Sequence, residues 1–253
     1  MSAGIRVLGG GDYISGGDCV ADQDVTIITD KLAVAFAVET PSGWGVPPGS
    51  LIDAAPVVDG LVQPDRLAFF DFLPNGWDSW HPTLAEVRIV STSDQKVELE
   101  VVREYPQADV MTRYTFVMGS EKVLVESTMR NKDSSPLRRF IYGYSIVSPF
   151  GKVHTPYCEA PDDPAARVHA KQAPPWAFAY GEDWSIGPAV GAQTRCAGRS
   201  TYKDLLLDTG LVEGAEVKLS GTLVFSAAND MGPLLREVAD PSWGILAGKL
   251  PDF

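Results

Sequence analysis

A chain of 253 residues, 45 % hydrophobic and 21 % charged, can bury either one large domain or two smaller ones and has an ordinary globular composition. Its 33 acidic against 21 basic residues leave a net charge of −12, which disfavours nucleic acid, because phosphate binding draws on Lys and Arg that are scarce here. The longest apolar runs are strand-sized, so no membrane span and no signal-peptide core is expected, and the chain reads as soluble, cytoplasmic or a mature secreted form.

The first run, GGGDYISGGDCVADQD (9–24), is glycine-rich and carries Asp12, Asp18, Asp22 and Asp24. Such a loop can hold calcium, but the spacing is not the alternating D-x-D-x-D-G pattern, and turns between edge strands account for it as well. DVTIITDKLAVAFAVET (24–40) reads as a hairpin turning at Thr29, Asp30 and Lys31. PSGWGVPPG (41–49) is a Gly/Pro loop offering Trp44. FLPNGWDSWHP (72–82) then sets Asn75, Trp77, Asp78, Trp80 and His81 between prolines, too broken for a core strand and too aromatic for an ordinary loop.

Period-2 alternation dominates the middle. LAEVRIVSTS (84–93), KVELEVVREY (96–105), DVMTRYTFVM (109–118) and KVLVESTMRN (122–131) alternate apolar and polar residues across short turn-like connectors. That pattern predicts an antiparallel meander with one face buried and one wet. RRFIYGYSIVS (138–148) is a fifth, more apolar strand, and FGKVHTPYCEAPDD (150–163) follows it with His154. DDPAARVHAKQA (162–173) suits one or two helical turns, with Asp163 as N-cap and Pro164 at the first helical position. PPWAFAYGEDWS (174–185) is a third aromatic loop, holding Trp176, Tyr180, Glu182, Asp183 and Trp184. STYKDLLLDTG (200–210) and AEVKLSGTLVFSA (215–227) supply two more strands, and GPLLREVAD (232–240) a short helix. The ending SWGILAGKLPDF begins another alternating segment and breaks off, as a piece of a longer chain would. The predicted class is all-β: one large antiparallel two-sheet sandwich spanning 1–253, with few short helices. Cys19, Cys158 and Cys196 are odd in number and widely spaced; free buried thiols are expected, with one disulfide allowed.

The run MTRYTFVMGSEKVLVESTMRNKDSSPLRRFIYGYSIVSPFG (111–151) resembles a recurring segment of the galactose-mutarotase-like supersandwich proteins. It shares their strand, GS turn, strand ending in Asn, polar turn with Pro, and following strand that carries site residues. SGWGVPPGSLIDAAPVVDGLVQPDRLAFFDFLP (42–74) similarly resembles the opening of extracellular bacterial domains of the same build. The resemblance implies the sandwich fold over about half the chain and a sugar-related ligand. It does not imply epimerase activity. The histidine such epimerases carry in the strand after the Pro turn falls at Gly143 and Tyr144 here, and Asp230 alone stands near the expected late carboxylate.

Tryptophan rings stack on the C–H face of a pyranose while polar neighbours orient its hydroxyls. The leading expectation is therefore a carbohydrate-recognition domain, accessory to a larger protein, with Trp44, Asn75, Trp77, Trp80, Trp176, Tyr180, Trp184 and Arg139 as ligand contacts. The alternative is a sugar epimerase, lyase or hydrolase using His154, His81, Asp78 and Glu182, with Glu159 or Asp162 orienting His154. A third reading is a structural domain whose aromatic end mediates assembly, as in a homo-oligomer. Arg138, Arg139, Lys152 and Arg113 could clamp a carboxylate or uronic acid, or simply line a wet sheet face. No metal is expected: His154, Cys158 and His169 match no compact zinc spacing.

Overall fold

The computed structural model describes residues 4–10, 13–41, 43–75, 81–132, 137–156, 158, 167–173, 175–192, 194–211 and 214–238. Among the described residues eighteen strands and one helix follow one another in the order β1 (Arg6–Gly9), β2 (Val25–Ile28), β3 (Leu32–Ala37), β4 (Ser50–Val58), β5 (Leu61–Val62), β6 (Phe69–Pro74), β7 (Leu84–Thr92), β8 (Lys96–Glu104), β9 (Ala108–Val117) and β10 (Lys122–Asn131). They continue with β11 (Leu137–Val147), β12 (Lys152–His154), β13 (Val168–Ala173), β14 (Phe178–Tyr180), β15 (Ser185–Val190), β16 (Thr194–Arg199), β17 (Tyr202–Leu211), β18 (Glu216–Ser226) and α1 (Gly232–Val238). A ten-stranded sheet runs β1-β2-β3-β4-β6-β11-β17-β16-β13, with β5 on β4, and an eight-stranded sheet runs β12-β14-β15-β18-β10-β9-β8-β7. Every register pair is antiparallel, as the predicted all-β sandwich requires.

The meander forms where alternation placed it, as β7 to β10, each paired with its sequence neighbour. Its inward residues Val97, Leu99, Val101, Val110, Tyr114, Phe116, Val123 and Val125 join the core shared by the sheets. Phe36, Phe70, Phe72, Tyr144 and Leu205 meet them from the ten-stranded sheet. Phe36 meets Tyr114 edge-on with ring centroids 4.9 Å apart, and Phe70 stacks on Tyr144 at 5.3 Å. Burying one such side chain stabilises by roughly 1.5–3 kcal/mol. On the wet face, Arg88, Glu100, Arg113 and Glu126 share one cross-strand row. Glu100 accepts from Arg88 and Arg113; burial acts to raise its pKa, but these two partners together hold it below the usual carboxylate range. Arg113 is thus committed to a neighbour on the same sheet.

Two further layers cover the outer faces. The 13–24 loop and Val46 lay Ile14, Cys19 and Val46 over Ala33, Ala35, Ile52, Phe69 and Val147 of the ten-stranded sheet. On the eight-stranded sheet, α1 seats Leu234 against Trp176, Phe178 and Val224. The hairpin turns at Thr29 as expected, its hydroxyl accepting from the Lys31 and Leu32 amides. Two expectations need correction. The second half of the predicted helix at 162–173 is strand β13, because Val168, His169 and Ala170 pair with Gly198, Ala197 and Cys196 of β16, and tertiary pairing outweighs a weak local preference. The thiols are not all free either: Cys158 and Cys196 form a disulfide, leaving Cys19 free and buried. The chain loops back after β12 to lie beside β16, a juxtaposition that no local spacing encodes.

Candidate functional site

Register partners in an antiparallel sheet point to the same face. Across the middle of the ten-stranded sheet, Asp71 pairs with Ser145, Ser145 with Asp204, Asp204 with Ala197, and Ala197 with His169. The next row runs Phe69, Val147, Tyr202, Arg199. Tyr144, Ile146 and Leu205 take the alternate positions and point into the shared core, so both rows belong to the outer face.

The face is polar at its centre. Asp204 is fully buried, accepts a 2.6 Å hydrogen bond from the Ser145 hydroxyl, and has the Arg167 guanidinium 4.0 Å from its Oδ2. Asp71 lies where β4 and β6 share the single register pair Leu51 with Phe70, which leaves a seam in the sheet. Arg103 of the opposite sheet fills that seam, donating to Asp71 Oδ1 at 3.0 Å, to the Pro48 carbonyl at 3.0 Å and to Ser50 Oγ at 3.2 Å. Ser50 in turn donates to Asp71. Burial works to lower the Arg103 pKa, but the adjacent Asp71 carboxylate more than offsets it and the net direction is upward. Asp71 is therefore committed to structure, while Asp204 faces outward from the sheet beneath a half-exposed Arg167.

The expected site residues do not gather in one place. Trp44 is 43 % exposed and sits with its ring 6.4 Å from Phe69, at the outer face just described. Asn75 follows β6 in a turn with φ 56°, half-buried, and Trp77, Asp78 and Trp80 lie outside the described residues. His81 is exposed and leads into β7, the far edge of the other sheet. Trp176, at 2 % exposure, is packed under α1, and Trp184, at 3 %, is inside the shared core with the Arg66 guanidinium 5.7 Å from its ring. Both fill space between layers where stacking platforms were expected. Tyr180 is half-buried and stacks on Phe178 at 5.3 Å. Glu182 is exposed in the β14–β15 turn, next to Asp183, which is 3.9 Å from Arg66. His154 is on β12, at the edge of the eight-stranded sheet, its ring 6.1 Å from Trp176. It belongs to a different sheet from Asp204. Arg139 belongs to β11, and its side chain lies outside the described part.

Of the acidic N-terminal loop, Asp24 accepts from the amides of Ala21, Val38, Glu39 and Thr40 and from the Thr40 hydroxyl. Burial would raise its pKa, but these donors together lower it. Its lone pairs are used by the chain itself. Among the described residues no group of three or more His, Cys, Asp or Glu is arranged to hold a metal ion. Nor is any described helix long and apolar enough to cross a membrane.

No family model matches the chain, and no curated protein matches it in sequence. Solved structures match in shape. A putative aldose 1-epimerase from Escherichia coli K12 superposes with a TM-score of 0.52 at 11 % identity, over 80 % of this chain and 98 % of its own. This is the galactose-mutarotase-like fold. It also recurs inside longer chains: an alpha-mannosidase from Enterococcus faecalis V583 matches at TM-score 0.54 and 12 % identity over 87 % of this chain and 31 % of that one. The GH36 alpha-galactosidase AgaA from Geobacillus stearothermophilus, solved with 1-deoxygalactonojirimycin, matches at 0.53 and 10 % over 82 % and 41 %. This chain thus spans less than half the length of either glycosidase.

Within the mutarotase-like fold, the strand after the Pro turn is β11, and its outward residues here are Gly143 and Ser145. Tyr144 points inward, its hydroxyl donating to Ser127 Oγ and the Leu219 carbonyl, both at 3.0 Å. Neither Gly143 nor Tyr144 offers an acid to the outer face. Sequence reasoning missed Ser145, Asp204, Tyr202, Arg167 and Arg199. The available signal was Asp204 at the head of the apolar run LLL, an acid that burial would penalise unless the strand had a use for it.

Proposed function

We propose that this chain is a carbohydrate-recognition domain, and that its ligand lies on the outer side of the ten-stranded sheet, where Trp44, Arg167, His169 and Arg199 are exposed. The observation that carries the reading is an exposed indole on the same sheet face as exposed polar side chains, which stand around the buried Ser145–Asp204 pair. A pyranose needs an aromatic plane for its C–H side and acceptors and donors for its hydroxyls. Trp44 offers the plane, and Tyr202, His169 and Arg167 offer polar groups around the Ser145–Asp204 hydrogen bond. The structures it resembles, a putative aldose 1-epimerase, an alpha-mannosidase and an alpha-galactosidase, all act on sugars by name, which supports this reading. Matches confined to part of two glycosidase chains support an accessory role in a larger protein. Trp77 and Trp80 lie outside the described residues and remain proposed contacts on the tryptophan-rich sequence alone.

The test is a titration of intrinsic tryptophan fluorescence, with calorimetry as a second readout, against neutral sugars, uronic acids and their oligomers. One class should give a saturable response, weakened at least ~10-fold in Trp44→Ala, which is about 1.4 kcal/mol of binding. Incubating the bound sugar with the protein and following it by NMR then separates recognition from turnover. A flat response to every sugar sinks the proposal in favour of an assembly domain.

A further inference from the structure

The chain as a whole is strongly acidic, yet the stretch 164–203 holds five Lys and Arg against two acids, Glu182 and Asp183. Those two acids sit in the β14–β15 turn of the eight-stranded sheet. The basic residues concentrate elsewhere. Arg195 and Arg199 alternate with Ala197 on the outer face of β16, both exposed, and Ala197 shares the row of Asp204. Val168 pairs with Gly198, which sets Arg167 across from Arg199. The 4.0 Å approach of Arg167 to Asp204 confirms that its guanidinium lies over the same face. His169 adds an exposed imidazole in the Asp204 row.

Resting on the carbohydrate reading above, we infer that the sugar this face takes is an acidic oligosaccharide, whose carboxylates seat on Arg167, Arg195 and Arg199. Guanidinium groups bind carboxylates through two parallel N–H···O bonds, which a point charge such as Lys does not match. Arg195 and Arg199 are four residues apart on one strand, roughly 13 Å, while Arg167 and Arg199 are neighbours across strands at roughly 5 Å. That span exceeds one sugar ring, so the arrangement suits charges repeated along an oligomer better than a single anion. Tyr202 pairs with Arg199 and is half-buried, so an aromatic edge lies beside the cation where a ring would bear its carboxylate. The net charge of −12 repels polyanions at long range, so a ligand must gain by short-range fit.

The experiment titrates the full chain with tetragalacturonic acid, with the same oligomer after reduction of its carboxyl groups, and with inorganic polyphosphate. Salt is kept at about 150 mM, so that exposed charges separated by more than a Debye length are screened. The acidic oligomer should bind at least ~10-fold tighter than its reduced form, and Arg195→Gln and Arg199→Gln should each weaken it by about 5-fold or more. Arg113→Gln, on the outer face of the other sheet, should leave it unchanged. If the reduced oligomer binds as tightly and the arginine variants behave as wild type, the inference falls while the carbohydrate reading stands. If neither saccharide binds, both fall. If polyphosphate binds equally well and competes, the face reads charge alone and the saccharide assignment is overturned.

Discussion

Asp71 and Arg103, each 1 % exposed, come from opposite sheets and close the seam between β4 and β6. A buried pair of this kind contributes little net stability relative to an apolar filling, but stranding one partner is costly. Arg103→Leu leaves the Asp71 carboxylate without its counter-charge and should lower stability by about 3–5 kcal/mol in urea denaturation. Arg113→Gln removes an arginine that is 37 % exposed and should cost no more than about 1 kcal/mol. Equal midpoints for the two variants would show that the seam does not depend on the pair. Lys203 plays a related part at the other end of the sandwich, its buried ammonium donating to the Val153 carbonyl at 2.6 Å and to the Arg199 carbonyl. The Asp71–Arg103 and Lys203–Val153 partnerships are not legible locally, because these residues lie 32 and 50 positions apart and meet only in the folded sandwich.

At the scale of elements, alternation located β7 to β10 and β18 to within a residue or two, most clearly in β8 to β10, where exposed and buried residues alternate. Strands buried on both faces gave a weaker signal: β4, β6 and β15 read as apolar loops or runs until the outer layers are seen covering them. The edges are managed physically. β1 is four residues long, and β7, which exposes Leu84, Ile89 and Val90, has its register shifted between Ile89 and Ser91. Such an irregularity interrupts the template that an edge offers to a second chain. At the opposite edge of the ten-stranded sheet, the Cys158–Cys196 disulfide closes a 38-residue separation and ties the segment after β12 to β16. On the loop-closure account its loss should cost about 4 kcal/mol. Differential scanning calorimetry with and without reductant measures this, and an unchanged Tm would mean that the bond contributes nothing to stability.

For the molecule as a whole, buried carboxylates set the pH response. Burial, reinforced by nearby Asp53, raises Asp65 to about 8 even though its Oδ1 accepts from the Ala54 and Leu67 amides. Burial likewise raises Asp53, against the amides of Asp18 and Cys19. Both acids hold their protons more tightly folded than unfolded; the Asp65 contribution is full below about pH 4 and fades as pH rises through about 8, and Asp53 acts in the same direction. Asp24 and Glu100 are shifted down by their donors and act in the opposite sense, contributing above the ordinary carboxylate range and losing that contribution as pH falls. Thermal stability should therefore peak at mildly acidic pH and decline toward about pH 8. Asp65→Asn keeps an oxygen for both amides and removes the titration, so it should flatten the alkaline decline. A decline of unchanged slope in that variant would remove Asp65 as its source.

By itself the sequence determined the all-β class, the meander and its wet face, the first hairpin, the short helix at 232–238 and the resemblance in fold to mutarotase-like sandwiches. Each of these rests on local periodicity, turn chemistry or a contiguous motif. Only the tertiary structure decided that Trp176 and Trp184 are packing residues, that 168–173 is a strand, that Cys158 meets Cys196, and that Ser145, Asp204 and three arginines share one face. The reason is physical: a side chain's neighbours across a sheet come from strands tens of residues away, and which strands become neighbours follows from how two sheets bury their apolar faces together.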